Sequence, residues 1–237
     1  MSNSMKLVAF ILSLFVFLIG SVVFNMILGI TPAAQNETGL MPVIAGYLNI
    51  MISTMLLVFS QAIFRFKYTQ RQMKKLGHYN IVGEYYIAPF RLVDRLIIYV
   101  FPSIPVIYPF FRGERLNKYT LWSIALLFIF IIITEILFNL FNKSMKIVVT
   151  DKGVAVTGYD LRLELPISAN YPSSSGFYPF ERIEGFRYMK KKITLYQTYD
   201  LGPITITAPE DEIKKIRGLL LQNHVPESKL SGAKHNG

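Results

Sequence analysis

Cysteine is absent from the 237-residue chain, which excludes disulfides, thiolate metal sites and cysteine nucleophiles and leaves the redox compartment open. Histidine is scarce. His78, His224 and His235 fall in a basic loop, at a helix end and in the tail, and no HExxH-type or other His-plus-carboxylate spacing accompanies them, so no metal site is expected. The GxSxG, P-loop and Rossmann glycine patterns are missing too, and with them the usual sequence signs of hydrolase, nucleotide or dinucleotide chemistry. Ser173-Ser-Ser175 has no base beside it in sequence and reads as a solvated loop. The expectation is a non-enzymatic protein with no catalytic, metal or cofactor residues.

Charge is also low. Asp, Glu, Lys and Arg make up 17% of the chain, against about 25% in ordinary globular domains, while hydrophobic residues reach 52% and mean hydropathy is +0.38. This is the composition of a membrane protein. Acids are outnumbered 15 to 25, giving a net charge of +10. Basic residues beside hydrophobic spans serve cytoplasmic retention and attraction to anionic headgroups. With neither an RNA-binding signature nor a basic recognition helix, no nucleic-acid partner is expected.

Four hydrophobic runs are present: about 7–30, 42–64, 96–111 and 121–141. The first runs for 24 residues, longer than the h-region of about 7–15 that a signal peptide would show, and is taken as a span. The connection 31–41 carries Glu37 and no basic residue, and so short a link makes the first two runs an antiparallel helical hairpin. Arg65, Lys67, Arg71, Lys74, Lys75, Arg91 and Arg95 then outnumber Glu84 and Asp94, which places this loop, and the N-terminus with Lys6, in the cytoplasm. Arg71, Lys74 and Lys75 are candidates for contact with lipid headgroups or a partner, although a helix simply leaving the bilayer explains them as well.

The third run has only 16 residues and contains Pro102, Pro105 and Pro109. Either it crosses as a kinked helix or it enters and returns on the same side. Crossing places Lys143, Lys146 and all that follows in the cytoplasm, and is the expectation adopted. The fourth run holds Glu135 about two thirds of the way along. An ionisable group at that depth costs a few kcal/mol unless it finds a partner or water, which makes Glu135 a candidate intramembrane functional residue.

After Lys143 the apolar period changes to two. Met145–Thr150 and Val154–Tyr159 form a hairpin around Asp151-Lys-Gly153. Leu161–Leu165 alternates with Arg162 and Glu164 facing the other way, and Ser168–Gly176 is a polar loop. Short strands are expected at Phe180–Ile183, Gly185–Lys190, Ile193–Tyr199 and Pro203–Thr207. Pro209 opens a last helix with Glu210, Asp211 and Glu212 in its first turn, and Ile213, Ile216, Leu219 and Leu220, with Val225 beyond them, supply an apolar stripe. The segment 226–237 reads as a disordered tail.

Ile147-Val-Val-Thr-Asp-Lys-Gly-Val154, Tyr178-Pro-Phe-Glu-Arg-Ile-Glu-Gly-Phe186 and Ile204-Thr-Ile-Thr-Ala-Pro209 followed by a helix resemble the bacterial pleckstrin-homology-like (PH-like) domains attached to transmembrane helices. The resemblance covers about residues 143–225 and implies a bent mainly-β domain closed by one α-helix. At about 80 residues this stretch is compact for such a domain, and a strand is missing or distorted near 173–176. The fold class expected is therefore a helical transmembrane region (1–142) followed by a C-terminal PH-like domain.

Two functional readings follow. The first is a membrane adaptor whose PH-like domain docks a protein partner or the lipid surface, with Arg187, Lys190, Lys191 and Lys192 as its basic candidates. The second is an immunity or protective protein, or an accessory transporter subunit, acting through Glu135 and the proline-rich run. Partners are membrane lipids and a membrane or cytoplasmic protein, or further copies of the chain.

Overall fold

A computed structural model describes residues 3–27, 40–87, 90–112, 118–163, 175–198 and 202–228. Of the features singled out in the sequence, Glu37, the polar loop up to residue 174 and the tail from 229 lie outside these residues.

Helices α1 (Asn3–Ile27) and α2 (Leu40–Lys75) pack along each other. Asn49 on α2 donates to Ser21 Oγ (3.0 Å) and Asn25 Oδ1 (2.8 Å) on α1, and accepts from Ser53 (3.1 Å). Between apolar helices such side-chain amides bond across the interface, and small residues let the backbones approach. Gly20 serves the second purpose, since a Cβ there would fall 2.4 Å from Leu56 Cδ1. With 36 residues, α2 exceeds the ~20 needed to span a bilayer, and its last turns extend past any hydrocarbon layer.

Strand β1 (Ile81–Tyr86) follows, then α3 (Leu92–Phe111) and α4 (Lys118–Asn142). The three prolines lie within one helix in α3 rather than ending it. Among the described residues three helices are long and apolar enough to cross a membrane, at Met5–Ile27, Met41–Lys75 and Lys118–Asn142. Helix α3, whose first turn carries Asp94 and Arg95, is not one of them.

The rest is two antiparallel sheets and a helix. One sheet has the order β1-β2-β3-β4, with β2 (Lys146–Thr150), β3 (Gly153–Thr157) and β4 (Gly176–Pro179); the other has the order β5-β6-β7, with β5 (Ile183–Met189), β6 (Lys192–Gln197) and β7 (Ile204–Thr207). The expected hairpin is present, Lys146 facing Thr157 and Thr150 facing Gly153. Gly153 has φ 157°, and a Cβ there would strike the Tyr178 carbonyl oxygen at 2.4 Å, so only glycine fits.

Strand β1 had no counterpart in the sequence reading. It comes from inside 1–142, pairs with β2 (Tyr86 with Lys146, Glu84 with Val148) and approaches β7, so the two sheets meet along that side. The chain between these paired strands is the α3–α4 hairpin, inserted between two neighbours of one sheet. The sheet that carries the 146–157 hairpin thus takes its first strand from upstream of α3, and its last, β4, begins at Gly176.

Alternate residues of both sheets fill the core, among them Ile147, Val149, Val154, Phe186, Leu195 and Ile206. Helix α5 (Glu210–Gln222) closes it with Ile213, Ile216 and Leu220, all fully buried. Burying one such side chain contributes about 1.5–3 kcal/mol. Three details differ from expectation. The strand expected at Phe180–Ile183 is a single 3-10 turn over Phe180–Arg182, and the strand lies just before it as β4. Leu161 and Leu163 are buried without forming a strand, and Arg162 is buried as well instead of facing water. The tail begins with a paired stretch, because Glu227 bridges to Phe186.

Candidate functional site

Two groups of ionic side chains join elements distant in sequence, one between a helix and the strand region and one between two helices. The first joins α2 to the strand region. Asp160 is fully buried just after the β2–β3 hairpin, where Arg162 grips it with Nε on Oδ1 (2.8 Å) and Nη2 on Oδ2 (2.6 Å). Arg65 of α2 brings its guanidinium to 3.6 Å from the same carboxylate and donates to the carbonyls of Asp160 (2.6 Å) and Arg162 (2.5 Å). The Arg162 backbone N–H (3.1 Å to Oδ1) and Ser175 Oγ (3.1 Å to Oδ2) donate to it as well. Burial acts to raise the Asp160 pKa, but Arg162 and Arg65 outweigh it and hold the carboxyl well below the usual carboxylate range.

Aromatic rings cluster about Tyr159, the residue before Asp160. Phe66 of α2 lies 4.6 Å from Tyr159, and Phe141 of α4 lies 5.7 Å from Tyr159 and 5.5 Å from Phe59 of α2. Farther along α2, Lys152 Nζ donates to the Leu76 carbonyl (2.8 Å), satisfying an open group at the helix end, and Asp151 accepts from the Asn80 backbone (3.0 Å). Strand β1 is tied to α5, where burial and then Glu212 push the Tyr85 hydroxyl pKa up. The strand domain is thus fastened to α2 at points from Arg65 to Leu76, about three helical turns, in addition to the short Asn142–Lys146 link.

The second group is Glu135. Its partner is Arg95 on α3 (Nη1 to Oε2, 2.5 Å), and Tyr99 donates to the other oxygen at 2.6 Å. The Arg95 guanidinium also lies 5.8 Å from the Phe138 ring centroid. Tyr99 lines an open apolar groove of ≈ 650 Å³ with Leu96, Val100, Ser103, Ile104 and Ile107. A carboxylate with a guanidinium on one oxygen and a phenol on the other has its charge countered, which explains how it is tolerated among apolar helices, while Arg95 Nε has no hydrogen-bond partner among the described residues.

The basic candidates occupy two different elements. Arg71, Lys74 and Lys75 are exposed on the last turns of α2, which leans on β3 and β4. Lys190 and Lys191 form the β5–β6 turn, Lys192 begins β6, and Arg187 is exposed on β5, all in the other sheet. Among the described residues no group of three His, Asp or Glu side chains is placed to hold a metal.

Sequence reasoning missed Arg65 and Asp160 as partners. A lone Asp within an apolar stretch was the available signal; its partner stands 95 residues away, beyond any local pattern. Compared with protein-family models, with curated proteins and with solved structures, the chain matches none.

Proposed function

We propose that the chain is a non-enzymatic, multi-pass membrane adaptor whose PH-like domain, split by the α3–α4 hairpin, is held rigidly at the cytoplasmic face to dock a protein partner. Four plus three antiparallel strands and one closing helix, in the order β1-β2-β3-β4 and β5-β6-β7, support the PH-like reading. The observation that carries the adaptor reading is the Arg65–Asp160–Arg162 clasp, because it fixes the orientation of the domain on the helix that bears it.

Chain parity supports four crossings. Strand β1 immediately precedes α3 and β2 immediately follows α4, and the two strands are paired. Both ends of the hairpin therefore lie on one side, and if α4 crosses, α3 must cross back. The excess of Arg and Lys around residues 65–95 favours the cytoplasm for that side.

The second reading, an immunity protein or transporter subunit working through Glu135, draws on the Arg95–Glu135–Tyr99 group. We favour the adaptor because the Glu135 carboxylate already has Arg95 and Tyr99 as partners. The test is co-purification of the full chain from native membranes in mild detergent, with mass spectrometry of what accompanies it. A stoichiometric protein partner retained by Glu135→Gln is expected; no partner at all, with cellular function lost in Glu135→Gln, overturns the adaptor in favour of the second reading.

A further inference from the structure

The chain stays on the domain after α5 ends. His224 adopts φ 58° and turns it back, Val225 is 2% exposed in the core, and the Val225 N–H reaches the Leu220 carbonyl at 3.0 Å. Residues 226–228 then run parallel to β5 along the edge that β6 leaves open. Phe186 N–H donates to the Pro226 carbonyl (3.0 Å) and Ser228 N–H to the Phe186 carbonyl (2.8 Å). The Glu227 carboxylate accepts from Arg217 Nε (3.0 Å) and Nη2 (2.7 Å) on α5, and that guanidinium lies 4.9 Å from the Tyr188 ring centroid. Gly185 leaves the room required, since a Cβ there would sit 3.1 Å from the Pro226 carbonyl oxygen.

Pairing an extended segment onto a sheet edge takes its affinity from backbone hydrogen bonds and its specificity from side-chain contacts. The present occupant is lightly held, by two backbone bonds and an ion pair whose side chains are 41% and 31% exposed, a geometry that contributes little. Its charge also fits only at Glu227. A segment parallel to β5 heads past Tyr188 and Met189 toward the Lys190–Lys191 turn, whereas residues 229–237 contain Lys229 and Lys234 and no acid. A segment acidic at those positions is the better complement to that turn.

We propose that the outer edge of β5, with Arg217 and the Lys190–Lys191 turn, is the docking site for an extended acidic peptide segment of a partner protein, and that Pro226–Ser228 is its displaceable internal occupant. This rests on the adaptor reading and adds to it a surface and a partner chemistry.

The probe is a fluorescein-labelled peptide, Val-Pro-Glu-Ser-Asp-Leu-Asp-Asp, titrated by anisotropy into the full chain in dodecyl maltoside micelles. Saturable binding is expected, about tenfold weaker for Gly185→Val and for Lys190→Glu with Lys191→Glu, and about threefold tighter for Glu227→Lys, which repels the tail from Arg217. Arg217→Glu should weaken this peptide and restore binding to one carrying Lys in place of its Glu, a charge exchange on a surface residue that does not depend on how well the Gly185 variant folds. The docking site is overturned by absence of saturable binding, or by binding indifferent to both Gly185→Val and the charge exchange. Anionic phosphatidylserine nanodiscs that bind through Lys190 and Lys191 while the peptide is ignored also overturn it, as does self-association lost on deleting 226–228. A partner that co-purifies equally with wild type and with Arg217→Glu overturns this site and leaves the adaptor standing; no co-purifying partner removes the adaptor reading whatever the peptide does.

Discussion

Arg65 and Asp160 face each other at 3.6 Å with side chains 4% and 1% exposed, one on the longest helix and the other at the exit of a β-hairpin. A buried carboxylate stripped of its partners, or a buried guanidinium stripped of its carboxylate, costs far more than the intact pair contributes. Asp160→Ala, which strands two arginines, is expected to lower stability by about 3–5 kcal/mol. Arg65→Met should cost about half as much, because Asp160 keeps Arg162. Thermal unfolding of the full chain in micelles, followed by near-UV circular dichroism, measures both. An Arg65→Met protein within about 0.5 kcal/mol of wild type, the range of an ordinary surface change, means that α2 and the domain are not fastened there.

The same carboxylate sets an acid limit. Its folded pKa is depressed by Arg162 and Arg65, so the native state holds this proton less tightly than the unfolded chain, whose Asp titrates near about 3.9. The stabilisation is complete above that value and is lost as pH falls through and below it. Asp160→Asn should be less stable at neutral pH and show a flatter decline on acidification. If wild type and Asp160→Asn lose stability in parallel between neutral pH and about pH 3, Asp160 is not the group responsible.

Glu135 and Arg95 are expected to behave as a unit. Glu135→Gln leaves the Arg95 guanidinium without its counter-charge, and a loss of about 1.5–3 kcal/mol follows for a charged hydrogen bond. Adding Arg95→Gln should return a good part of this, giving a coupling of at least about 1 kcal/mol in a double-mutant cycle. Additive losses would show that the two residues act apart.

The absence of native cysteine makes single-cysteine topology mapping direct. Lys75→Cys and Lys191→Cys are expected to react with an impermeant maleimide from the same side of sealed vesicles, and Gly113→Cys from the opposite side. All three reacting from one side rules out the four-crossing arrangement.

The legible parts of the fold were those with local signatures. The hairpin at 146–157 showed through Asp151-Lys-Gly153 between two apolar runs, and α5 through Pro209, its acidic first turn and the spacing of Ile213, Ile216 and Leu220. Strand β1 was hidden because only Tyr85 of its six residues is buried, so it carries no alternation and reads as part of a basic loop. Glu135 was conspicuous as a charge in an apolar helix. Its partner was not, because Arg95 looked like one more cytoplasmic basic residue. Arg162 was assigned to solvent by alternation, and the buried Asp160 beside it reversed that. For β1 and for Glu135 a contact distant in sequence overrode a local pattern, and for Arg162 a buried carboxylate two residues away did so.

The insertion of α3 and α4 between two paired strands also dictates an order of synthesis. When β1 leaves the ribosome its partner does not yet exist, and β2 emerges only after both helices have been made. Until then β1 presents an unpaired edge of the kind that invites wrong pairing. Closure of the sheet therefore waits on the preceding helices, because β1 and β2 pair only when the start of α3 and the end of α4 lie together, and a hairpin with its ends apart leaves the core of the domain open.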